Sequence, residues 1–240
     1  RIMAYTTIDD PSAFFQTALW SGNAGTQDIT NDGNSDLKPD FTWTKPRTIA
    51  YGHKLMDSTR GIGSSGKFLF SDATNAEDSI NDYMMTFNTD GFSVGAGDAG
   101  FNASNDTYVT WQWKAGGGTT SSNTDGATTS TVQANTDAGF SIVTWTGTGS
   151  ATTLGHGLGV APAVLIVKNR STAVDWAVYH KDLTDAGYVI ALNSTDTQID
   201  SGTNRWNHTD PTSSVFSVGS GQQTNQSSNN MVCYAFAEKQ

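Results

Sequence analysis

Along much of this chain polar and apolar positions alternate with a period of two. Thr107-Tyr108-Val109-Thr110-Trp111-Gln112-Trp113 sets a more polar Tyr108/Thr110/Gln112 face against an apolar Val109/Trp111/Trp113 face. That is the pattern of a half-buried strand. Val164-Leu165-Ile166-Val167 is apolar throughout and predicts a strand buried on both sides. Turn clusters such as Asn31-Asp32-Gly33-Asn34, Asn88-Thr89-Asp90-Gly91 and Asn123-Thr124-Asp125-Gly126 separate these runs. One segment, residues 76–85 behind a possible N-cap at Asn75, predicts a helix.

The pattern repeats. Residues 15–22 lie over 140–147, and Lys38-Pro39-Asp40-Phe41 with Trp43, Lys45 and Arg47 lies over Ala161-Pro162-Ala163-Val164 with Ile166, Lys168 and Arg170. Gly66-Lys67-Phe68-Leu69 meets Gly187-Tyr188-Val189-Ile190, and Phe92-Ser93-Val94-Gly95 recurs as Phe216-Ser217-Val218-Gly219. Tyr108, Val109, Trp111 and Trp113 meet Met231, Val232, Tyr234 and Phe236. The offsets drift between 121 and 125, as loop insertions and deletions would produce. An internal repeat of about 124 residues is too long for a solenoid unit, so each copy is domain-sized. The expected division is residues 3–115, a Gly/Ser/Thr linker over 116–125, and residues 126–240. Six or seven short strands per copy predict two tandem all-β sandwiches.

Composition agrees with strands and turns. Ser (24), Thr (34), Asn (17) and Gly (25) supply 100 of the 240 residues, and these residues disfavour helix interiors. The net charge of −10 lacks the basic patch a phosphate backbone demands, which argues against nucleic acid as a partner. The longest apolar run, residues 160–167 with Pro162 inside it, is far below the roughly 20 residues of a membrane span, so no membrane insertion is expected. Met3, after Arg1 and Ile2, reads as a natural start, and no secretory signal is evident. A single cysteine, Cys233, excludes internal disulfides.

Strings associated with chemistry are present but lack their context. Residues 61–66 and 95–100 match GxGxxG, yet neither precedes a predicted helix. Residues 91–95 match GxSxG, but the alternation is that of a strand, and the second copy has Val215 where the first glycine should stand. The chain has 21 Asp but only two Glu, Glu77 and Glu238, so sandwich glucanases with an E-x-D-x-x-E strand are excluded by composition. No catalytic residue is assigned and enzymatic activity is not expected. Asp32, Asn34 and Asp36 alternate oxygen ligands around Gly33, making them a calcium candidate. Trp20, Trp43, Trp111, Trp113 and Trp145 lie on repeat-matched strands and are expected in cores. Trp206 and His208, in polar loop sequence, and Trp176 beside Asp175 are instead candidates for ligand contact. Lys45/Arg47 and Lys168/Arg170 recur as a strand's polar face, solvated or docking an acidic subunit. The N-x-[ST] strings at Asn102, Asn105, Asn169, Asn193, Asn207 and Asn225 are ascribed to composition.

Residues 3–12, Phe15-Gln16-Thr17, Gly33-Asn34-Ser35-Asp36 with Pro39-Asp40-Phe41, and residues 56–61 resemble the N-terminal parts of repeat-bearing structural proteins of tailed bacteriophages. Residues 155–162 and Trp176-Ala177-Val178-Tyr179-His180 carry the same pattern in the second copy. The resemblance spans nearly the whole chain. It implies tandem concanavalin-like (jelly-roll), laminin-G-like sandwiches in a virion, often followed by further repeats, with no established chemistry. The expected function is that of a tail-fibre or surface-appendage subunit in assembly and host attachment. Its expected partners are other virion proteins, further copies of itself as a homo-oligomer, and host-surface glycan. The alternatives are a capsid decoration protein and a virion-borne polysaccharide-degrading enzyme.

Overall fold

The computed structural model describes residues 8–63, 66–80, 85–96 and 99–239. Met3, together with Ser64, Ser65, Gly97 and Asp98 of the two GxGxxG strings, lies outside them. The chain forms two compact units: Arg1–Ser71 with Glu77–Gly118, and Asp72–Ala76 with Thr119–Gln240. Both are all-β and antiparallel apart from single bridges and short helical turns, as the period-two alternation predicts.

The first unit contains β1 (Phe15–Ser21), β2 (Gln27–Ile29), β3 (Phe41–Pro46), β4 (Lys54–Asp57), β5 (Gly66–Phe70), β6 (Asp78–Ile80), β7 (Met85–Phe87), β8 (Phe92–Val94) and β9 (Thr107–Trp113). A six-stranded sheet runs β1-β9-β3-β4-β5-β6, and a three-stranded sheet runs β2-β8-β7. The core cluster includes Ala18, Trp20, Ile29, Met56, Phe68, Phe92, Val94 and Tyr108, residues drawn from both sheets. The helix expected over 76–85 is not formed. Residues 78–80 pair with β5 instead, Met85–Phe87 pair with β8, and residues 81–84 lie outside the described residues. Sheet pairing overrides the weak local helix preference, and the Glu77 carboxylate is held by Arg60 at 2.9 Å.

The second unit contains β10 (Ser121–Asn123), β11 (Ser130–Asn135), β12 (Phe140–Thr146), β13 (Thr152–Gly155), β14 (Val164–Asn169), β15 (Ala177–His180), β16 (Tyr188–Val189), β17 (Ile199–Asp200), β18 (Val215–Val218) and β19 (Asn230–Phe236), with a one-turn helix α1 (Gln222–Asn225). Its large sheet runs β10-β11-β12-β19-β14-β15, and β13 pairs with β18. The strand order β1-β9-β3-β4 of the first unit therefore has its counterpart in β12-β19-β14-β15, and β2–β8 in β13–β18. Part of the stretch expected as linker is ordered as a strand, since β10 pairs with β11 from Ser121 opposite Val132 to Asn123 opposite Ser130. Gly117 and Gly118, both at positive φ, precede that strand.

Each unit is closed by one buried asparagine. Asn102 Oδ1 accepts from the Asn23 N–H (3.1 Å) and from Gln27 Nε2, while its Nδ2 donates to Asn23 Oδ1 (3.1 Å), Gly95 O (3.0 Å) and Gly25 O. Asn225 repeats the wiring: Oδ1 accepts from the Thr148 N–H (3.0 Å), and Nδ2 donates to Thr148 Oγ1 (2.9 Å), Ser150 O (2.7 Å) and Gly219 O (3.0 Å). Backbone bonds match as well, Ala24 N to Asn102 O and Gly149 N to Asn225 O, with Gly22 N to Asp106 O and Gly147 N to Asn229 O. The close approach requires glycine at the strand exit. A Cβ on Gly22 would lie 2.0 Å from Ala103 O, and one on Gly147 2.0 Å from Gln226 O. Both asparagines are fully buried, so their N-x-[ST] strings serve the interior rather than presenting a glycan acceptor.

Replacing Asn225 by Ala leaves two buried groups, Gly219 O and the Trp145 indole N–H, without this partner, and also frees the part-buried groups of Thr148 and Ser150. Each costs about 1–3 kcal/mol when left unpaired, so Asn225→Ala is expected to lower stability by about 3 kcal/mol or more in urea unfolding. A loss of only a few tenths would contradict the closing role.

Candidate functional site

The large sheet of the first unit turns an unexpected face outward. On β1, Gln16, Ala18 and Trp20 are buried, while Phe15, Thr17, Leu19 and Ser21 are exposed. Register carries this parity across the sheet. Phe15 stands opposite Trp113, Thr17 opposite Trp111 and Leu19 opposite Val109. On the next strand Phe41 stands opposite Trp113 and Trp43 opposite Trp111. The aromatic side of β9 therefore faces away from the core and the Tyr108/Thr110/Gln112 side faces in, which corrects the expectation that Trp43, Trp111 and Trp113 are core residues. Trp20 and Trp145 are buried as expected.

The inversion is supported because most of the inward polar groups find partners. Thr44 and Thr110 share a hydroxyl–hydroxyl bond of 2.8 Å, and Gln112 Nε2 donates to Asn31 Oδ1 at 2.6 Å. Tyr108 donates to Ala99 O (3.1 Å) and accepts from the Ala103 N–H (2.9 Å). Hydrogen bonds of this kind offset most of the desolvation that would favour exposure, although the buried Gln112 Oε1 has no partner among the described residues. Outside, the rings gather in two neighbouring groups along β9. Phe15–Trp113 and Phe41–Trp113 centroids lie 5.0 and 5.2 Å apart, and Trp43–Trp111 meet edge to face at 6.5 Å. Exposure falls with distance from the β1 edge. Leu19 is 65% and Phe15 40% exposed, Trp43, Trp111 and Trp113 are half-buried, and Phe41 and Leu55 are buried.

The loop tryptophans are placed oppositely. Trp206 and Trp176 are each 1% exposed, which corrects their assignment as ligand contacts. Trp206 packs edge to face on Tyr179 at 5.9 Å, inside the core of the second unit. Its polar neighbours stay outside because their backbone bonds to the β18 exit, Gly219 N to Arg205 O (2.9 Å) and Gly221 N to Asn204 O (2.8 Å), pin the loop with the indole inward. Polar flanking sequence described the loop's surface and not the ring. His208 is exposed, 3.4 Å from Asp185. Asp32, Asn34 and Asp36 are exposed, and their loop is held by Gly33 N donating to Gln16 Oε1 and Ser35 N donating to Ser12 Oγ, both at 3.0 Å. Among the described residues no group of three or more His, Cys, Asp or Glu is arranged to hold a metal ion. Ser93 of the GxSxG string lies on β8, where it bonds Asn88 and Asp28 rather than a histidine.

Two further features of the second unit were not expected. A cleft of about 340 Å³ is lined by Pro162, Tyr179, Lys181, Asp210 and Glu238. Inside it Tyr179 donates to Asp210 at 2.9 Å and Lys181 pairs with Glu238 at 2.6 Å. Burial, followed by the Asp210 contact, pushes the Tyr179 hydroxyl far above its ordinary value. Lys168, expected on a solvated or docking face, is fully buried. It donates to Thr74 O at 2.9 Å and to Val174 O, tying Asp72–Ala76 into the unit. Burial lowers its pKa to about 8, against a smaller opposing pull from Asp175. Cys233 is also buried, and its thiol is pushed up by desolvation, so it is not a nucleophile at neutral pH.

Fold and surface thus define a two-unit, all-β protein with an exposed aromatic sheet face. Over residues 10–240 the chain belongs to the family described as Domain of unknown function (DUF7483). No curated protein and no solved structure matches it significantly. Among the described residues, no helix is long and apolar enough to cross a membrane.

Lys168 predicts a pH dependence of stability. Below about pH 8 both folded and unfolded chains hold its proton; between about 8 and the ordinary lysine value of 10.5 the folded chain releases it first. Stability rises with pH wherever the unfolded state binds more protons. Relative to Lys168→Met, the wild-type urea midpoint is expected to increase between about pH 7 and about pH 9.5. A constant or falling difference would contradict the assignment.

Proposed function

We propose that the chain is a structural subunit of a tailed-bacteriophage virion, part of a tail fibre or another surface appendage, acting in assembly and in adhesion to host-surface glycan. The ordered motifs that resemble phage structural proteins support the virion part, and the antiparallel two-sheet build of the first unit is compatible with a concanavalin-like relationship. The observation that carries the adhesive part is the outer row of Phe15, Trp113, Trp111 and Trp43, which offers flat apolar rings to solvent. Such rings take the apolar faces of sugars, and aromatic side chains dominate the energetics of binding surfaces. Single contacts of this kind are weak, and repeated copies on one particle multiply them into avidity.

Antibody to this chain, detected by immunogold electron microscopy on purified particles, is expected to mark tail fibres or tail tips. Labelling over the head favours a decoration protein, and unlabelled particles overturn the virion reading. On the adhesive side, Trp111→Ala is expected to weaken binding to host cells or isolated host glycan about tenfold, the loss of a modest aromatic anchor. Unchanged binding would remove this face from the account.

A further inference from the structure

Strand β1 ends the large sheet of the first unit, and β9 is its ladder partner among the described residues. The bonds flanking β1 identify which backbone groups that ladder uses. Lys114 N donates to Phe14 O (2.9 Å) and Gly22 N donates to Asp106 O (2.8 Å). Bonded pairs alternate in an antiparallel ladder, so Gln16, Ala18 and Trp20 address β9. Phe15, Thr17 and Leu19 therefore direct their N–H and C=O groups to the open edge. Ser21 would be next, but its carbonyl already accepts from Gln27 Nε2 at 3.0 Å. The same three residues carry exposed side chains, and the whole strand, Phe15–Ser21, contains no charge and no proline. Edge strands are normally protected by such residues or by a bulge.

The second unit shows what a strand in this position accepts. Its counterpart β12 is paired on both sides, with β19 on one and β11 on the other. Asn135, Gln133 and Thr131 of β11 stand opposite Phe140, Ile142 and Thr144, the positions matching Phe15, Thr17 and Leu19. The chain entering β1 cannot supply the same hairpin through residues 10–14. Pro11–Ala13 forms a 3-10 turn capped by Asp10, whose side chain accepts from the Ser12 N–H at 3.0 Å. Ser35 N donates to Ser12 Oγ, and Ser35 Oγ donates to Asp10, which binds the turn to the loop before β3.

We propose that the open edge pairs with β1 of a second copy of this chain, antiparallel about a two-fold axis through Thr17. Three residues centred on Thr17, without a ladder partner on this side among the described residues, fix this register. Phe15 stands opposite Leu19 of the partner subunit and Thr17 opposite Thr17 of the partner subunit, with about six backbone bonds formed. Aromatic–aliphatic and Thr–Thr pairs are favourable cross-strand neighbours. On the inner side Gln16 meets Ala18 of the partner subunit, and no like charges are brought together. Two six-stranded sheets become one, and the aromatic outer faces join across the axis. The symmetry is that of the commonest closed oligomer, an isologous dimer.

The pairing is a property of the purified chain and is separable from the virion reading: a dimer whose chain is absent from particles keeps the one and loses the other. Sedimentation equilibrium of the full chain is expected to give twice the monomer mass at high concentration. Thr17→Cys should form a disulfide-linked dimer under mild oxidation, because bonded antiparallel partners lie about 5.5 Å apart at Cα. Buried Cys233 does not compete, and Ser122→Cys on the exposed β10 edge gives the background rate. Thr17→Lys sets like charges directly opposite one another and should weaken association about tenfold or more. A monomer at every concentration overturns the proposal, and so does cross-linking of Thr17→Cys no faster than that of Ser122→Cys. These two results do not depend on whether the lysine variant folds; if it does, an undiminished dimer overturns the register.

Discussion

Each unit depends on a buried side-chain amide that must use its whole hydrogen-bonding capacity. Asn102 and Asn225 are fully buried, and an amide in that position is tolerated only when oxygen and nitrogen both find partners. The partners come from three separate stretches: the exit of the first long strand, the loop beyond it, and the glycine ending the Phe-Ser-Val-Gly strand. One residue thereby joins the large sheet to the small one. The need for Gly22 and Gly147 follows, because the chain passes too close for a Cβ. Trp20 and Trp145 follow too, their indole N–H groups bonding Phe101 O (3.1 Å) and Asn225 Oδ1 (3.4 Å) beside the same knots.

The two units share this wiring and differ at their edges. In the second, β10 and β11 continue the sheet beyond β12; in the first, β1 is the last strand. The same contrast applies to the side chains beside that edge. Phe140 and Ile142 are buried, whereas Phe15 and Leu19 are exposed. The surface proposed for adhesion and the edge proposed for self-association are thus one region of one unit. For the proposed appendage built from many copies, pairing through β1 would enlarge the aromatic face that each copy carries.

The strand period was legible because it follows from spacing alone. The matched segments on β1, β3, β8 and β9 fall on strands placed like β12, β14, β18 and β19. Residues 66–69, by contrast, lie on β5 in the large sheet, whereas residues 187–190 span β16, which pairs with β17 in a separate sheet. What spacing does not reveal is which face of a strand turns inward. Tyr108, Thr110 and Gln112 look like the wet side of β9 until distant residues such as Thr44 and Asn31 supply hydrogen bonds to Thr110 and to the Gln112 amide nitrogen. Trp206 was misplaced for a related reason, since a ring can turn inward while its polar neighbours remain in solvent. Lys168 looked solvated, yet backbone carbonyls of Thr74 and Val174 receive its ammonium group. The asparagine knots did leave a signal. Asn102 and Asn225 each follow the repeated Phe-Ser-Val-Gly by a similar interval, but a string shared with glycan acceptors obscured it.

The central claim is that a buried asparagine closes each unit, and residue-resolved hydrogen exchange tests it most directly. The amides of Asn23 and Ala24, and those of Thr148 and Gly149, lie outside the strands and bond to Asn102 or Asn225. They are expected to exchange as slowly as the ladder amides of β1 and β12, because opening them requires breaking the knot. Exchange at the rate of an open loop, while the strands stay protected, would contradict the account.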